Sequence, residues 1–281
     1  MALGFTEADM YKCRGVNVTG MHDRIIIESP LTIMIEYGQP GQRKQEVLTV
    51  TMRTPADDVH LVKGLLLAEG IIQKNKDILD VKPLINTQDT LQQDTVLAVL
   101  SEHIQVNLGG KQRNLVTTSA CGFCGKTTDD SHLPQQHFKP ADNQFRIAVN
   151  NLYKLPSLLK QFQGLFNTTG GAHAVALVTA SGDVIAVAED VGRHNAMDKL
   201  VGAMLEKESF PLSNYLVLFS GRLGYELVQK ALAAGIPFIC AIGAPTSLAV
   251  ELAKAYGITI AGFLKEDSFN IYCGSEKMIQ A

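Results

Sequence analysis

Tyr215-Leu216-Val217-Leu218-Phe219, closed by Ser220-Gly221-Arg222, sets the rhythm of the second half of the chain. A short apolar run ended by a glycine turn reads as a buried strand. Leu223 to Ala234 then carries apolar residues at helical spacing, and Ile236 to Ile242 is a second apolar run. Gly243-Ala244-Pro245-Thr246-Ser247 interrupts it, Leu248 to Tyr256 is another helix, and Ile258 to Leu264 another strand. Strands alternating with helices of this length predict β-α-β units with right-handed crossovers and a parallel sheet. Upstream, Ala174 to Thr179, the turn Ala180-Ser181-Gly182-Asp183 and Val184 to Ala188 predict a hairpin. Leu152 to Phe166 predicts an amphipathic helix, and Glu189-Asp190-Val191-Gly192-Arg193-His194-Asn195 opens a helix over Ala196 to Glu206.

The first half is strand-rich. Arg24 to Tyr37 reads as two strands around Ser29-Pro30, and Glu46 to Met52 as a third. Thr54-Pro55-Ala56-Asp57-Asp58 offers a cap, a proline at the first helical position and two first-turn acids. Val59, Leu61, Val62, Leu65, Leu66 and Ala68 continue that helix to Gly70, so Asp57 and Asp58 read as acids favoured by the helix dipole. Ile78 to Leu84, Thr95 to Ser101 and His103 to Leu108 predict further strands. The polar, proline-bearing stretch from Thr127 to Asn143 separates the halves. The expected organisation is a tail over 1–20, a strand-rich α+β domain over 21–126, a mobile linker over 127–143 and an α/β domain over 144–281.

Composition narrows the function. With 46% hydrophobic residues, 19% charged residues and a formal net charge of -3, the chain has a globular profile without the basic excess of a nucleic-acid binder. No run reaches the ~20 apolar residues of a membrane span. The first residues carry Glu7 and Asp9 where a secretion signal would be basic and then apolar. Five cysteines at irregular spacing argue against a secreted disulfide framework. A reducing, cytoplasmic setting is expected, with neither nucleic acid nor membrane as partner.

Thr117-Thr118-Ser119-Ala120-Cys121-Gly122-Phe123-Cys124-Gly125-Lys126 places two thiols three positions apart among glycines, with Lys126 beside them to favour the thiolate. On spacing alone, redox chemistry, sulfur chemistry and half of a zinc site all remain open. His132 and His137 read as solvated loop residues rather than metal ligands. In an open α/β sheet, ligands gather at the carboxyl ends of strands, where helix N-termini attract anions. Those ends carry Thr169-Gly170-Gly171-Ala172-His173, Glu189 to Asn195, Ser220-Gly221-Arg222, Gly243 to Ser247 and Phe263 to Ser268. Arg193 and Arg222 suit a phosphate-bearing ligand; tight turns and helix caps would use the same glycines and hydroxyls. His194 stands beside Asp190, a carboxylate able to fix its tautomer. His173 reads as a hydrogen-bonded histidine near a strand end, and Cys240 as a buried small hydrophobe.

Taken in order, Arg53-Thr54-Pro55-Ala56-Asp57-Asp58, Leu67-Ala68-Glu69-Gly70-Ile71-Ile72, Cys121-Gly122-Phe123-Cys124-Gly125-Lys126, Glu189 to Asn195 with Asp198-Lys199, Ser220-Gly221-Arg222 with Glu226, and Ala244-Pro245-Thr246-Ser247-Leu248-Ala249 with Gly262-Phe263 resemble the FdhD family of formate dehydrogenase accessory sulfurtransferases. The resemblance covers nearly the whole chain. It implies a cytoplasmic, homodimeric sulfur carrier that takes sulfur from a cysteine desulfurase as a persulfide. The sulfur goes to the molybdenum cofactor in its bis(molybdopterin guanine dinucleotide) form, for formate dehydrogenase. Cys121 then corresponds to the persulfide-bearing cysteine and Cys124 to an accessory thiol, with no structural metal. Phe263, Leu264, Lys265, Glu266, Asp267 and Ser268 correspond to the cofactor-binding segment, supported by Ser220, Gly221, Arg222, Arg193, His194 and Thr246. The resemblance also implies a cytidine-deaminase-like, three-layer α/β fold for the second half. Many relatives carry two basic residues in the last segment, where this chain has Lys265 followed by Glu266, Asp267 and Ser268; Arg193 and Arg222 then carry more of the charge.

Three other readings compete. A zinc deaminase pairs H-x-E with P-C-x-x-C, but no histidine here begins H-x-E and Ala120 precedes Cys121. In a thiol-disulfide oxidoreductase the CxxC would open a helix. In a non-catalytic nucleotide-binding chaperone the cysteines would be incidental.

Overall fold

The computed structural model describes residues 4–84, 94–106, 116–117, 144–207 and 209–279. Its second half is built on a six-stranded sheet of order β10-β9-β11-β12-β13-β14: β9 (His173–Thr179), β10 (Val184–Asp190), β11 (Tyr215–Phe219), β12 (Phe238–Ala241), β13 (Thr259–Gly262) and β14 (Asn270–Cys273). β11, β12 and β13 run parallel and the remaining pairs antiparallel. The three parallel strands are buried at every position but Tyr215, which is why they read as apolar runs.

Successive strand side chains alternate between faces. Val175, Leu177, Val217, Phe219, Ile239, Ala241 and Ile260 face one core, covered by α4 (Arg193–Glu206), α5 (Tyr225–Ala233) and α6 (Ser247–Tyr256). Ala174, Ala176, Val178, Leu216, Leu218, Phe238 and Cys240 face the other, covered by Leu152, Leu155 and Leu159 of α2 (Val149–Phe162). Helices therefore cover both faces, making three layers. The helix expected from Leu152 to Phe166 is broken at Gln163, and α3 (Gly164–Thr169) follows. A short parallel pair, β8 (Ile147–Ala148) with β15 (Met278–Ile279), sits outside the large sheet.

The first half forms a five-stranded sheet of order β5-β6-β3-β4-β7, from β3 (Ser29–Tyr37), β4 (Lys44–Arg53), β5 (Ile78–Leu84), β6 (Asp94–Leu100) and β7 (Val116–Thr117). Its Leu31, Ile33, Ile35, Val96, Ala98 and Leu100 join α1 (Asp58–Ala68) and α4 in one continuous core, so the two halves share a single apolar interior. Helices α1 and α4 cross with their backbones in contact. A Cβ on Gly64 would stand 2.0 Å from the Asp198 carbonyl oxygen, and one on Gly202 would stand 1.9 Å from that of His60.

Three expectations are corrected. Residues 1–20 are not simply a loose tail: β1 (Phe5–Arg14) and β2 (Asn17–Ile26) form an antiparallel hairpin turning at Gly15, where φ is 58°. α1 starts at Asp58, not at Pro55, because the chain takes positive φ at Ala56 and Asp57 and the Arg53 guanidinium grips the Asp58 carboxylate at 2.8 and 2.9 Å. Residues 101–106 form no strand, so the run expected from His103 is absent over its described part.

Candidate functional site

Strand directions gather most of the anticipated rim at one edge of the six-stranded sheet. Because β9 is antiparallel to both β10 and β11, His173 at its start lies opposite Asp190 at the end of β10, and Val175 lies opposite Phe219. Ala174 and Ser220 lock this corner: Ser220 N donates to Ala174 O at 3.0 Å, and Ala174 N donates to Ser220 Oγ at 2.9 Å. The loops after β11, β12 and β13 are stitched by backbone hydrogen bonds, Gly243 N to Gly221 O at 3.2 Å, Leu223 N to Ala244 O at 3.0 Å and Phe263 N to Gly243 O at 3.1 Å. Thr246 caps α6, its hydroxyl oxygen accepting from Ala249 N at 3.4 Å. The glycines and hydroxyls thus do make turns and caps, and in doing so they bring Ser220, Gly221, Arg222, Thr246 and the segment from Phe263 to one rim.

That segment divides by exposure. Leu264 is 1% exposed in the core beneath α2, so its side chain faces inward and not toward a ligand. Phe263 is 44% exposed and holds a φ of 53°. Lys265, Glu266, Asp267 and Ser268 are exposed, and Lys265 N donates to Ser268 O at 2.8 Å to close a turn. The Glu266 carboxylate accepts from the Ser157 hydroxyl on α2. Together with Lys160 and Asn167 these two line an open cavity of about 590 Å³ beside the rim.

The other side of the rim is the first turn of α4. This helix begins at Arg193, three residues before the expected start, so Arg193, His194 and Asn195 all lie in its first turn. Asp190 organises the turn. Its carboxylate accepts from Gly192 N at 2.8 Å, Asn195 Nδ2 at 3.3 Å, Thr54 N at 3.1 Å and Lys199 Nζ at 2.8 Å. Burial pushes the Asp190 carboxyl up from its ordinary value, and Lys199 opposes that shift. With four donors on it, Asp190 does not orient His194; the carboxylate facing His194 Nε2, at 3.6 Å, is Glu226 in the first turn of α5. Both His194 Nε2 and Arg193 Nε are buried and make no hydrogen bond to a described residue.

Sequence reasoning gave His173 only a structural role, as a hydrogen-bonded histidine near a strand end. A Cβ on Gly221 would lie 3.2 Å from its Nδ1 and Cε1, so the ring rests against the bare backbone of the loop after β11. Burial, then the positive charges of Arg193 and His194, push its imidazole below the ordinary histidine value. The signal was the Gly170-Gly171-Ala172-His173 run ahead of β9, which reads equally well as a plain loop.

The first half is fastened at the same place. Asn195 Nδ2 donates to Met52 O at 2.7 Å, Thr51 Oγ1 donates to Asn195 Oδ1 at 3.1 Å, and Lys199 Nζ donates to Thr54 O at 2.8 Å. β7 pairs in parallel with β4, Thr117 opposite Thr51. Cys121 and Cys124, with His132 and His137, lie outside the described residues. Among the described residues, Cys13 is exposed, Cys240 is buried with its thiol pushed up, and no cluster of three or more His, Cys, Asp or Glu could hold a metal. No described helix is long and apolar enough to cross a membrane.

The chain is similar to known proteins over almost its whole length. It is 39% identical over 264 residues to the sulfur carrier protein FdhD of Streptomyces coelicolor, covering 91% of this chain and 89% of the relative. The sulfur carrier protein FdhD of Sulfurisphaera tokodaii is 38% identical over 271 residues, covering 96% of this chain and 97% of its own. A crystal structure described as a formate dehydrogenase accessory protein from Desulfotalea psychrophila superposes with a TM-score of 0.71 at 20% identity, covering 98% of this chain and 99% of that one, which shows a common fold. The model of the FdhD/NarQ family matches residues 26–279. The chain belongs to the FdhD/NarQ family.

Proposed function

We propose that this protein is a sulfur carrier that serves a formate dehydrogenase. The observation that carries the reading is its 38–39% identity, across nine-tenths or more of the chain, to proteins named sulfur carriers. In this reading the Cys121 thiolate attacks the outer sulfur of a cysteine desulfurase persulfide. The donor's S–S bond breaks, the donor leaves as a thiolate, and Cys121 holds the sulfur as its own persulfide. Passing that sulfur on as sulfide requires two electrons, and the accessory thiol Cys124 supplies them by closing a disulfide with Cys121. The acceptor, the bis(molybdopterin guanine dinucleotide) form of the molybdenum cofactor, is cargo held at the rim.

The rim suits a pyrophosphate-linked ligand. Arg193 and Arg222 offer planar donors, Lys265 a further cation, and the first turn of α4 a positive dipole end. The attachment of β7 beside Thr51 and Asn195 starts the cysteine-bearing stretch next to this rim. A cytoplasmic homodimer and a cytidine-deaminase-like second half belong to the same reading; the helices on both faces of the six-stranded sheet are in keeping with it.

The test is mass spectrometry after incubation with a cysteine desulfurase and cysteine. One added sulfur on the peptide containing Cys121 is expected, and none in Cys121→Ala. Sulfur loading that persists in Cys121→Ala would remove the assignment.

A further inference from the structure

The rim holds a charge that the other described residues leave unanswered. Arg193 makes no hydrogen bond or ion pair with any described residue, and its Nε is buried. The neighbouring carboxylate, Asp190, is already taken by Gly192, Asn195, Thr54 and Lys199. His194 Nε2, also buried and unbonded, has Glu226 3.6 Å away. Buried donors are nearly always satisfied, so two adjacent nitrogens without a hydrogen bond among the described residues leave room for a further acceptor. Guanidinium and imidazole donors at the start of a 14-residue helix select an oxyanion.

His173 completes the arrangement from the opposite strand. Its ring nitrogens bond to no described residue, and it lies at the corner where β9, β10 and the loop after β11 meet. The charged groups acting on it are Arg193 and His194 from α4 and Asp190 from β10, while the loop after β11 presents the backbone of Gly221. Burial, with Arg193 and His194 beside it and the Asp190 carboxylate already taken, pushes the His173 imidazole below its ordinary value. A bound phosphoryl group reverses that balance, because its negative charge favours the imidazolium and its oxygens accept the new N–H.

We propose that His173, Arg193 and His194 bind one phosphoryl group of the rim's ligand, and that His173 takes up a proton from solution as the group binds. This rests on the rim being the face that holds the cargo, and it adds a proton-linked subsite to that reading.

The experiment is isothermal titration calorimetry of the full-length protein with inorganic pyrophosphate, at pH 7, in two buffers of different ionisation heat. Protons that pyrophosphate itself gains or loses are common to every variant. Wild type is expected to take up more protons per pyrophosphate than His173→Gln, whose affinity should also vary less between pH 6 and pH 8. Arg193→Gln is expected to bind about tenfold or more weakly, as for loss of a charge-assisted donor pair. Arg193→Lys keeps the charge but loses the planar fork, and should fall between the two. Equal proton uptake by wild type and His173→Gln would overturn the proton linkage. Unchanged affinity in folded Arg193→Gln or Arg193→Lys, or no binding by wild type, would overturn the subsite. No sulfur enters the measurement, so this result and the role of Cys121 stand or fall separately.

Discussion

Along its flank, α4 meets α1 and α5 with every buried charge answered: Asp190 by Lys199 at 2.8 Å and Asp198 by Lys230 at 2.6 and 2.8 Å. At its first turn the same helix presents Arg193 with no partner among the described residues, and His194 with a carboxylate beyond hydrogen-bond reach. The flank is closed further by Gly64 and Gly202, which let the two helices touch backbone to backbone. The buried carboxylates along the flank are paired, whereas the Arg193 guanidinium at the first turn has no partner among the described residues.

The sharpest way to break this contrast is to neutralise one lysine and one arginine six residues apart on the helix. Lys199→Met strips Asp190 and the Thr54 carbonyl of their shared donor, and should cost about 3–5 kcal/mol in chemical denaturation. Arg193→Gln removes a charge the fold does not use and should change stability by no more than about 0.5 kcal/mol. Equal losses would mean that the rim is as structural as the flank. Next in size is Gly202→Ala. Helix propensity alone predicts a gain of about 1 kcal/mol, whereas the crossing predicts a loss of about 1–3 kcal/mol as the helices part. The sign of the shift in thermal melting decides between them.

The smallest effect is one of pH. Burial and the charges of Arg193 and His194 hold His173 below its ordinary value, so the unfolded chain binds a proton there before the folded chain does. Stability present above pH ~6.5 is therefore lost as pH falls toward the folded value. His173→Gln should lessen the decline in melting temperature on going from pH 7.5 to pH 5.5. An identical decline in both proteins would mean that the rim does not hold His173 below its ordinary value.

Much of this architecture was legible because it rests on burial. Tyr215 to Phe219 has the expected bounds, since an interior parallel strand is apolar at every position. The hairpin over Phe5 to Ile26 escaped notice for the opposite reason: it is exposed almost throughout, so no alternation of apolar and polar residues marks it. The start of α1 was misplaced because an ion pair from Arg53 to Asp58, five residues on, outweighs the preference for proline in a first turn. The rim loops could be found from glycine beside Ser, Thr and Arg. Which carboxylate faces His194 could not, because adjacency favours Asp190 and only the fold brings Glu226 across. His173 was read as an ordinary hydrogen-bonded histidine because its character comes from neighbours on α4, remote in sequence. The cysteine pair was conspicuous by spacing alone, yet spacing left redox, zinc and sulfur transfer open, and only the ordered set of motifs narrowed them.

Phe263 carries a cost of its own. A left-handed backbone burdens any residue bearing a Cβ with roughly 1–2 kcal/mol, and a ring that is 44% exposed recovers only part of that through burial. Glycine would relieve the strain while leaving the backbone donors to Gly243 and Ala241 in place. Selection for a sturdier fold would therefore remove the phenyl ring from this rim, and its presence is a standing tax on stability.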